Sequence, residues 1–202
     1  PNAGRAPAFK KGNILLSMRA LDMLAVIDPD RRSVVWVSRG MWVTQHDPVM
    51  LPDGRMLVFA GQIHVDSVFS SVVNDLWSYD PLTDAWTELS PTGGPPLARM
   101  NHVAVYDPSR EIMVIFGGTD YVGGTYYRDV WELDCTTDTW TEKTSSPYHA
   151  GGVPYYGSGS SNGCAILRTA GGASQMIVHD LASINAYMNL TLWGAGSWVT
   201  YW

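Results

Sequence analysis

The chain has 202 residues, 46% of them hydrophobic and only 16% charged, with a formal net charge of −6; an average domain carries roughly 25% charged residues, so solvated helices and disordered tails are excluded as its main content. Lys10, Lys11 and Lys143 are its only lysines and Glu88, Glu111, Glu132 and Glu142 its only glutamates, while 20 Gly, 12 Pro, 9 Trp and 10 Tyr favour turns and pleated surfaces, which predicts an all-β chain. The acidic balance leaves no basic footprint for nucleic acid, the only adjacent cationic pairs being Lys10-Lys11 and Arg31-Arg32, and no apolar run approaches the ~20 residues of a membrane span.

In chain order, residues 13–19, 21–28 and 33–38 read as three strands, and Pro1–Pro7 offers no innermost strand before them. The chain opens at Pro1 without Met, which points to processing, trimming or a fragment. Gln45–Gly61 then reads as strand, turn, strand and a small-residue ending, and Asp75–Leu89 as a second hairpin. The pattern repeats. Asn101–Gly118 matches the first hairpin, and Asp129–Lys143 aligns with Asp75–Leu89 at an offset of 54 with eight identities in fifteen positions. Farther on, a hairpin at about 153–169 and strands at 175–180 and 186–193 form a last unit, and Ser197–Trp202 is left over. That spare strand shares Trp-Val-Thr with Trp42–Thr44, the expected start of the innermost strand of the second unit, so it is assigned as the innermost strand of the first.

Four strands per ~50 residues, a double glycine after the second strand (Gly117-Gly118) and a tryptophan in the fourth (Trp86, Trp140) resemble the kelch repeat of β-propellers over about Trp42–Leu89 and Arg99–Lys143. The N-terminal stretch of about 12–61, carrying Gly12–Asp30, Val35-Trp36, Gln45-His46-Asp47, Leu51–Gly54 and Met56–Phe59, is similar to the arylsulfotransferase family, and departs from it at Ala60-Gly61, where that family continues with Asp-Asn. Both resemblances imply a propeller. The expected architecture is one domain of four blades: 12–39 plus 197–202, 42–90, 99–144 and 152–193, the C-terminal strand completing the N-terminal blade and removing an exposed edge.

Candidate residues follow from this frame. Trp77, Trp86, Trp131 and Trp140 recur at matched positions and are read as structural wedges between sheets. The arylsulfotransferase resemblance implies sulfuryl transfer between phenols through a histidine, for which His46 is the candidate; His102 stands 56 residues on within the kelch-like Arg99-x-x-His102 pattern. A structural role is the competing reading for both histidines. Neither His64-x-Asp66 nor Asp28-x-Asp30 supplies three or four convergent ligands, so no metal and no cofactor are expected. The glycines of Gly117–Gly124 and Gly157–Gly163 precede no predicted helix and are read as loops rather than phosphate cradles. Tyr121, Tyr126, Tyr127, Tyr155 and Tyr156 in these loops are candidate binding residues, since amphipathic rings suit protein and glycan surfaces, with packing between blades as the alternative.

These readings predict a non-catalytic propeller module that binds a protein partner, with an arylsulfotransferase-like enzyme using His46 and a glycan-binding propeller as alternatives. Oligomers by exchange of the C-terminal strand are a further expectation. Asn189-Leu190-Thr191 is a glycosylation sequon and favours an extracytoplasmic location, whereas Cys135 and Cys164 are too few to define a disulfide framework.

Overall fold

A computed structural model describes residues 7–18, 21–39, 47–64, 70–120, 125–144, 164–170, 173–179, 190–194 and 197–201. After a short 3₁₀ turn at Pro7–Phe9, fifteen strands follow among the described residues: β1 Ile14–Met18, β2 Met23–Asp28, β3 Ser33–Arg39, β4 Val49–Met50, β5 Met56–His64, β6 Ser70–Asp80, β7 Ala85–Leu89, β8 Val103–Asp107, β9 Ile112–Thr119, β10 Tyr126–Asp134, β11 Thr139–Thr144, β12 Cys164–Ala170, β13 Ala173–His179, β14 Leu190–Gly194 and β15 Ser197–Tyr201. They form four antiparallel sheets, β1-β2-β3, β4-β5-β6-β7, β8-β9-β10-β11 and β12-β13-β14-β15. Every strand pairs with its sequence neighbour, as short hairpin connections dictate.

One turn recurs in the first three sheets. At Asp28, Asp80, Asp107 and Asp134 the strand ends on an aspartate whose Oδ1 accepts the backbone N–H two residues on, at 3.0, 2.8, 2.9 and 2.8 Å. Four residues after each aspartate the chain turns left-handed, at Arg32 (φ 51°), Asp84 (53°), Glu111 (56°) and Asp138 (49°). The carboxylate replaces a backbone acceptor inside the turn, and the left-handed residue redirects the chain into the returning strand. At Asp134 the Thr136 hydroxyl, the Thr136 N–H and the Thr137 N–H all favour the anion and pull its pKa down to about 2.

The chain divides into two compact units, the first comprising Pro1–Ser90 and Leu97–Met100, the second Pro91–Pro96 and Asn101–Trp202. In the first unit, Leu24 and Val26 of the first sheet meet Met56, Val58 and Tyr79 of the second, with Phe9 closing the cluster and Trp36 and Trp86 packed against it. The main chain of Arg99 accepts the Gly61 N–H at 2.9 Å and donates to the Val73 carbonyl at 3.0 Å. This lies next to a register shift of β5 against β6, where Ala60 (φ 56°) and Gly61 (φ 110°) are both left-handed. Gly117 and Gly118 make the equivalent break in β9 (φ 68° and 99°). In the second unit β9 is buried along its whole length, as are Leu133 of β10 and Trp140, its partner on β11. The segment around Thr92 runs parallel to β11, with Thr92 N–H donating to the Asp138 carbonyl and Trp140 N–H to the Thr92 carbonyl at 2.8 and 2.9 Å.

The last unit corrects the sequence reading. Ser197–Tyr201 does not complete the N-terminal sheet; it pairs with β14 in register Trp193↔Trp198, Leu192↔Val199 and Thr191↔Thr200. Only residues 195 and 196 separate β14 from β15 in sequence, so the local hairpin forms at far lower loop-closure cost than a pairing across the whole chain. The other strands move with it: β12 and β13 at Cys164–Ala170 and Ala173–His179 are the first two of this sheet, where a hairpin at 153–169 was expected. The N-terminal sheet has three strands among the described residues.

Candidate functional site

The conspicuous tryptophans have separate duties. Trp77 and Trp131, 54 residues apart, are half-buried, and each donates its indole N–H to the aspartate two residues earlier on the same strand, Trp77 to Asp75 and Trp131 to Asp129, both at 2.7 Å. Two residues is one strand period, so ring and carboxylate share a face. Trp86 is half-buried, lies 4.9 Å from the Tyr79 ring centroid and reaches Ser38 Oγ at 3.3 Å, which places it between the first and second sheets. Trp140 is buried at 2% exposure.

Tyr79 sits at the middle of the aromatic cluster. Its hydroxyl accepts from Trp36 Nε1 at 2.9 Å and donates to Asp84 Oδ1 at 2.6 Å. Burial and the Asp84 carboxylate both disfavour the phenolate and push its pKa up to about 12. On the third sheet, Arg110 joins the buried Asp107 (2.7 Å) to Glu132 (2.8 Å), and Lys143 reaches the other Glu132 oxygen at 3.2 Å. These groups are consumed by the scaffold.

The binding candidates lie elsewhere. Tyr126 and Tyr127 are not loop residues but open β10, paired with Thr119 and Gly118, at the end of the third sheet opposite the Asp107 and Asp134 turns. Tyr127 is half-buried. Tyr121, Tyr155 and Tyr156 lie outside the described residues, as do His46, His149 and Asn189. His64, expected in a connection, is the last residue of β5 and pairs with Ser70. His102 is 1% exposed, so a soluble phenol has no approach to its ring in this conformation. Among the described residues no group of three or more His, Cys, Asp and Glu is placed to hold a metal ion, and no helix is long and apolar enough to cross a membrane.

One site was missed by sequence reasoning. Pro7, Ala8, Lys10, Asp28, Arg31 and Val35 line a cavity of about 280 Å³. Lys10 Nζ meets the Asp28 Oδ2 atom at 2.8 Å and Arg31 Nε approaches the same atom at 3.7 Å. The bond from Lys10 and the Arg31 backbone N–H hold the Asp28 carboxyl below its usual range. Sequence shows Lys10-Lys11 and Arg31-Arg32 only as two separate cationic pairs; the structure brings Lys10 and Arg31 to the same Asp28 oxygen.

Comparison with known proteins bears on the whole of this scaffold. The model of the KLHDC2/KLHL20/DRC7 Kelch-repeats domain matches residues 40–189, and so takes in Gln45–Gly61, the downstream part of the stretch that resembles the arylsulfotransferases. Acyl-CoA-binding domain-containing protein 5 of Arabidopsis thaliana is 30% identical over 96 residues, 48% of this chain and 14% of that protein. Rho GTPase-activating protein gacHH of Dictyostelium discoideum is 29% identical over 94 residues, 46% of this chain and 6% of that protein. The matches thus span a small part of either relative. The solved structure of YjhT superimposes with a TM-score of 0.57 at 14% identity, over 90% of this chain and 62% of that one, a likeness of fold alone. With sheets built on a repeated hairpin and a family match across three-quarters of its length, the chain belongs to the kelch-repeat domain family and is a β-propeller module.

Proposed function

We propose that this chain is a non-catalytic binding module whose sheets hold interaction residues at the end where β10 begins. The kelch match over residues 40–189 carries the reading. The internal chemistry supports it: Trp36, Tyr79 and Trp86 are engaged with one another in the first unit, and Asp107, Arg110 and Glu132 in the second. Recognition therefore falls to strand ends and connections, which can vary without disturbing the sheets. Tyr127 is the tyrosine of this reading whose side chain the structure describes, Tyr126 precedes it in β10, and Tyr121, Tyr155 and Tyr156 belong to the same proposal. Tyrosine suits such a surface because it offers large contact area and a hydroxyl at low conformational cost.

The test uses a photo-crosslinking residue introduced at Tyr127 and, separately, at Thr136 in the turn at the opposite end of the sheet. Crosslinks to one partner at Tyr127, lost in Tyr126→Ala and absent at Thr136, are the expected result. Equal crosslinking at both ends, or His46-dependent release of nitrophenol from p-nitrophenyl sulfate, would overturn the reading.

A further inference from the structure

The Lys10–Asp28–Arg31 cavity points to a ligand of definite chemistry. On a chain of net charge −6, two cations that line the cavity, Lys10 and Arg31, face one carboxylate, Asp28. The local balance is positive. Asp28 is 2% exposed and already engaged by Lys10 and by the backbone N–H groups of Asp30 and Arg31, so its charge is spent inward. Arg31 is held loosely, at 3.7 Å, and its side chain is 76% exposed, which leaves most of its planar set of donors directed to solvent.

The floor is rigid. Phe9 packs edge-on against Trp36 at 5.0 Å, and Asn13 Nδ2 donates to the Ala8 carbonyl at 2.7 Å, which fixes the 3₁₀ turn that walls the cavity. Lys10, held at 2.8 Å by Asp28 before the ligand arrives, loses less order on binding than a free side chain would. Pro7, Ala8 and Val35 make the remaining walls apolar. At about 280 Å³ the space falls just under the ~300–1,000 Å³ of small-molecule sites, and it fits a pair of side chains better than a cofactor.

We propose that this cavity is a docking site for an acidic peptide segment, seating one Asp or Glu carboxylate against Arg31 and Lys10 with a neighbouring aliphatic side chain against Pro7, Ala8 and Val35. A nucleic acid is disfavoured because a polyanion meets the repulsion of the whole acidic chain, whereas a single carboxylate responds to the local field. The inference rests on the binding-module reading and adds a second contact place to it.

The experiment measures fluorescence anisotropy of a labelled, N-acetylated and C-amidated peptide with a central Glu between two valines, added to the full chain, beside the same peptide with Gln at the centre. The Glu peptide should bind and weaken at higher salt, and the Gln peptide and the Arg31→Glu variant should each lose on the order of tenfold in affinity. Arg31 is exposed and its contact with Asp28 is long, so the variant should melt close to the wild type; Arg32→Glu provides a second change at an exposed residue, expected to weaken binding less. Equal binding of the two peptides, undiminished binding by Arg31→Glu, or full displacement by inorganic phosphate at peptide-like concentrations would each overturn the assignment. A chain that crosslinks its partner through Tyr127 but ignores the Glu peptide sinks this site and leaves the binding-module reading standing.

Discussion

Trp36 and Tyr79, 43 residues apart and on different sheets, are joined by an indole-to-hydroxyl hydrogen bond of 2.9 Å between rings whose centroids lie 5.0 Å apart. The bond stitches the first sheet to the second at the point where their shared core is most aromatic, and Asp84 completes it from the turn after β6.

Removing the hydroxyl tests this arrangement. Tyr79→Phe keeps the ring but strands the Trp36 N–H and releases Asp84, at a cost of about 1–3 kcal/mol in urea unfolding. The pH dependence has a definite sign. An unfolded tyrosine ionises near ~10, while folded Tyr79 holds its proton to about 12, so its contribution is fully present below pH ~10 and is lost as pH rises toward 12. The stability difference between wild type and Tyr79→Phe should narrow across that interval, and a constant difference would contradict the assignment.

The repeat tryptophans should be unequal despite their matched positions. Trp140→Ala opens a cavity at a site of 2% exposure and is expected to cost about 3–5 kcal/mol, whereas half-buried Trp86→Ala should cost roughly half that. Chemical denaturation of the two variants ranks them directly.

Gly93 is left-handed (φ 82°), and a Cβ there would overlap the Trp140 carbonyl oxygen. Gly93→Ala therefore carries both backbone strain and a clash with main chain, and should lose on the order of 2–3 kcal/mol. Gly94 is also left-handed but has open space around its Cβ position, so Gly94→Ala should cost less. Calorimetric melting of the pair separates strain from overlap.

Glu111 is exposed and left-handed at φ 56°. Glu111→Gly relieves the side-chain penalty there, and after the entropy that glycine adds to the unfolded chain it should raise stability by about 0.5–1 kcal/mol. A β-branched replacement, Glu111→Val, should lower it. The two melting temperatures must move in opposite directions.

Much of this fold was readable because its grammar is local. The three N-terminal strands, the hairpins closing on Asp80 and Asp134 and the double-glycine break at Gly117-Gly118 announce themselves through turn chemistry within a few residues. The last sheet failed for the same reason in reverse: a three-residue likeness between Trp198–Thr200 and Trp42–Thr44 was weighed above the short spacing that makes β14 and β15 a hairpin. The cavity at Asp28 was invisible because Lys10 and Arg31 meet only through the carboxylate that ends β2. Sequence showed two cationic pairs, and nothing in their spacing says that they converge.

The recurring aspartate turn has a consequence for how this chain tolerates change. Its conformation is set by one carboxylate and one left-handed residue, and the three residues between them, Pro29–Arg31, Pro81–Thr83, Pro108–Arg110 and Cys135–Thr137, form a different tripeptide in each copy, although proline opens three of the four. Transplanting Pro81–Thr83 into the Cys135–Thr137 position should leave the strands in register, whereas Arg110, which ties Asp107 to Glu132, cannot be exchanged without loosening the third sheet.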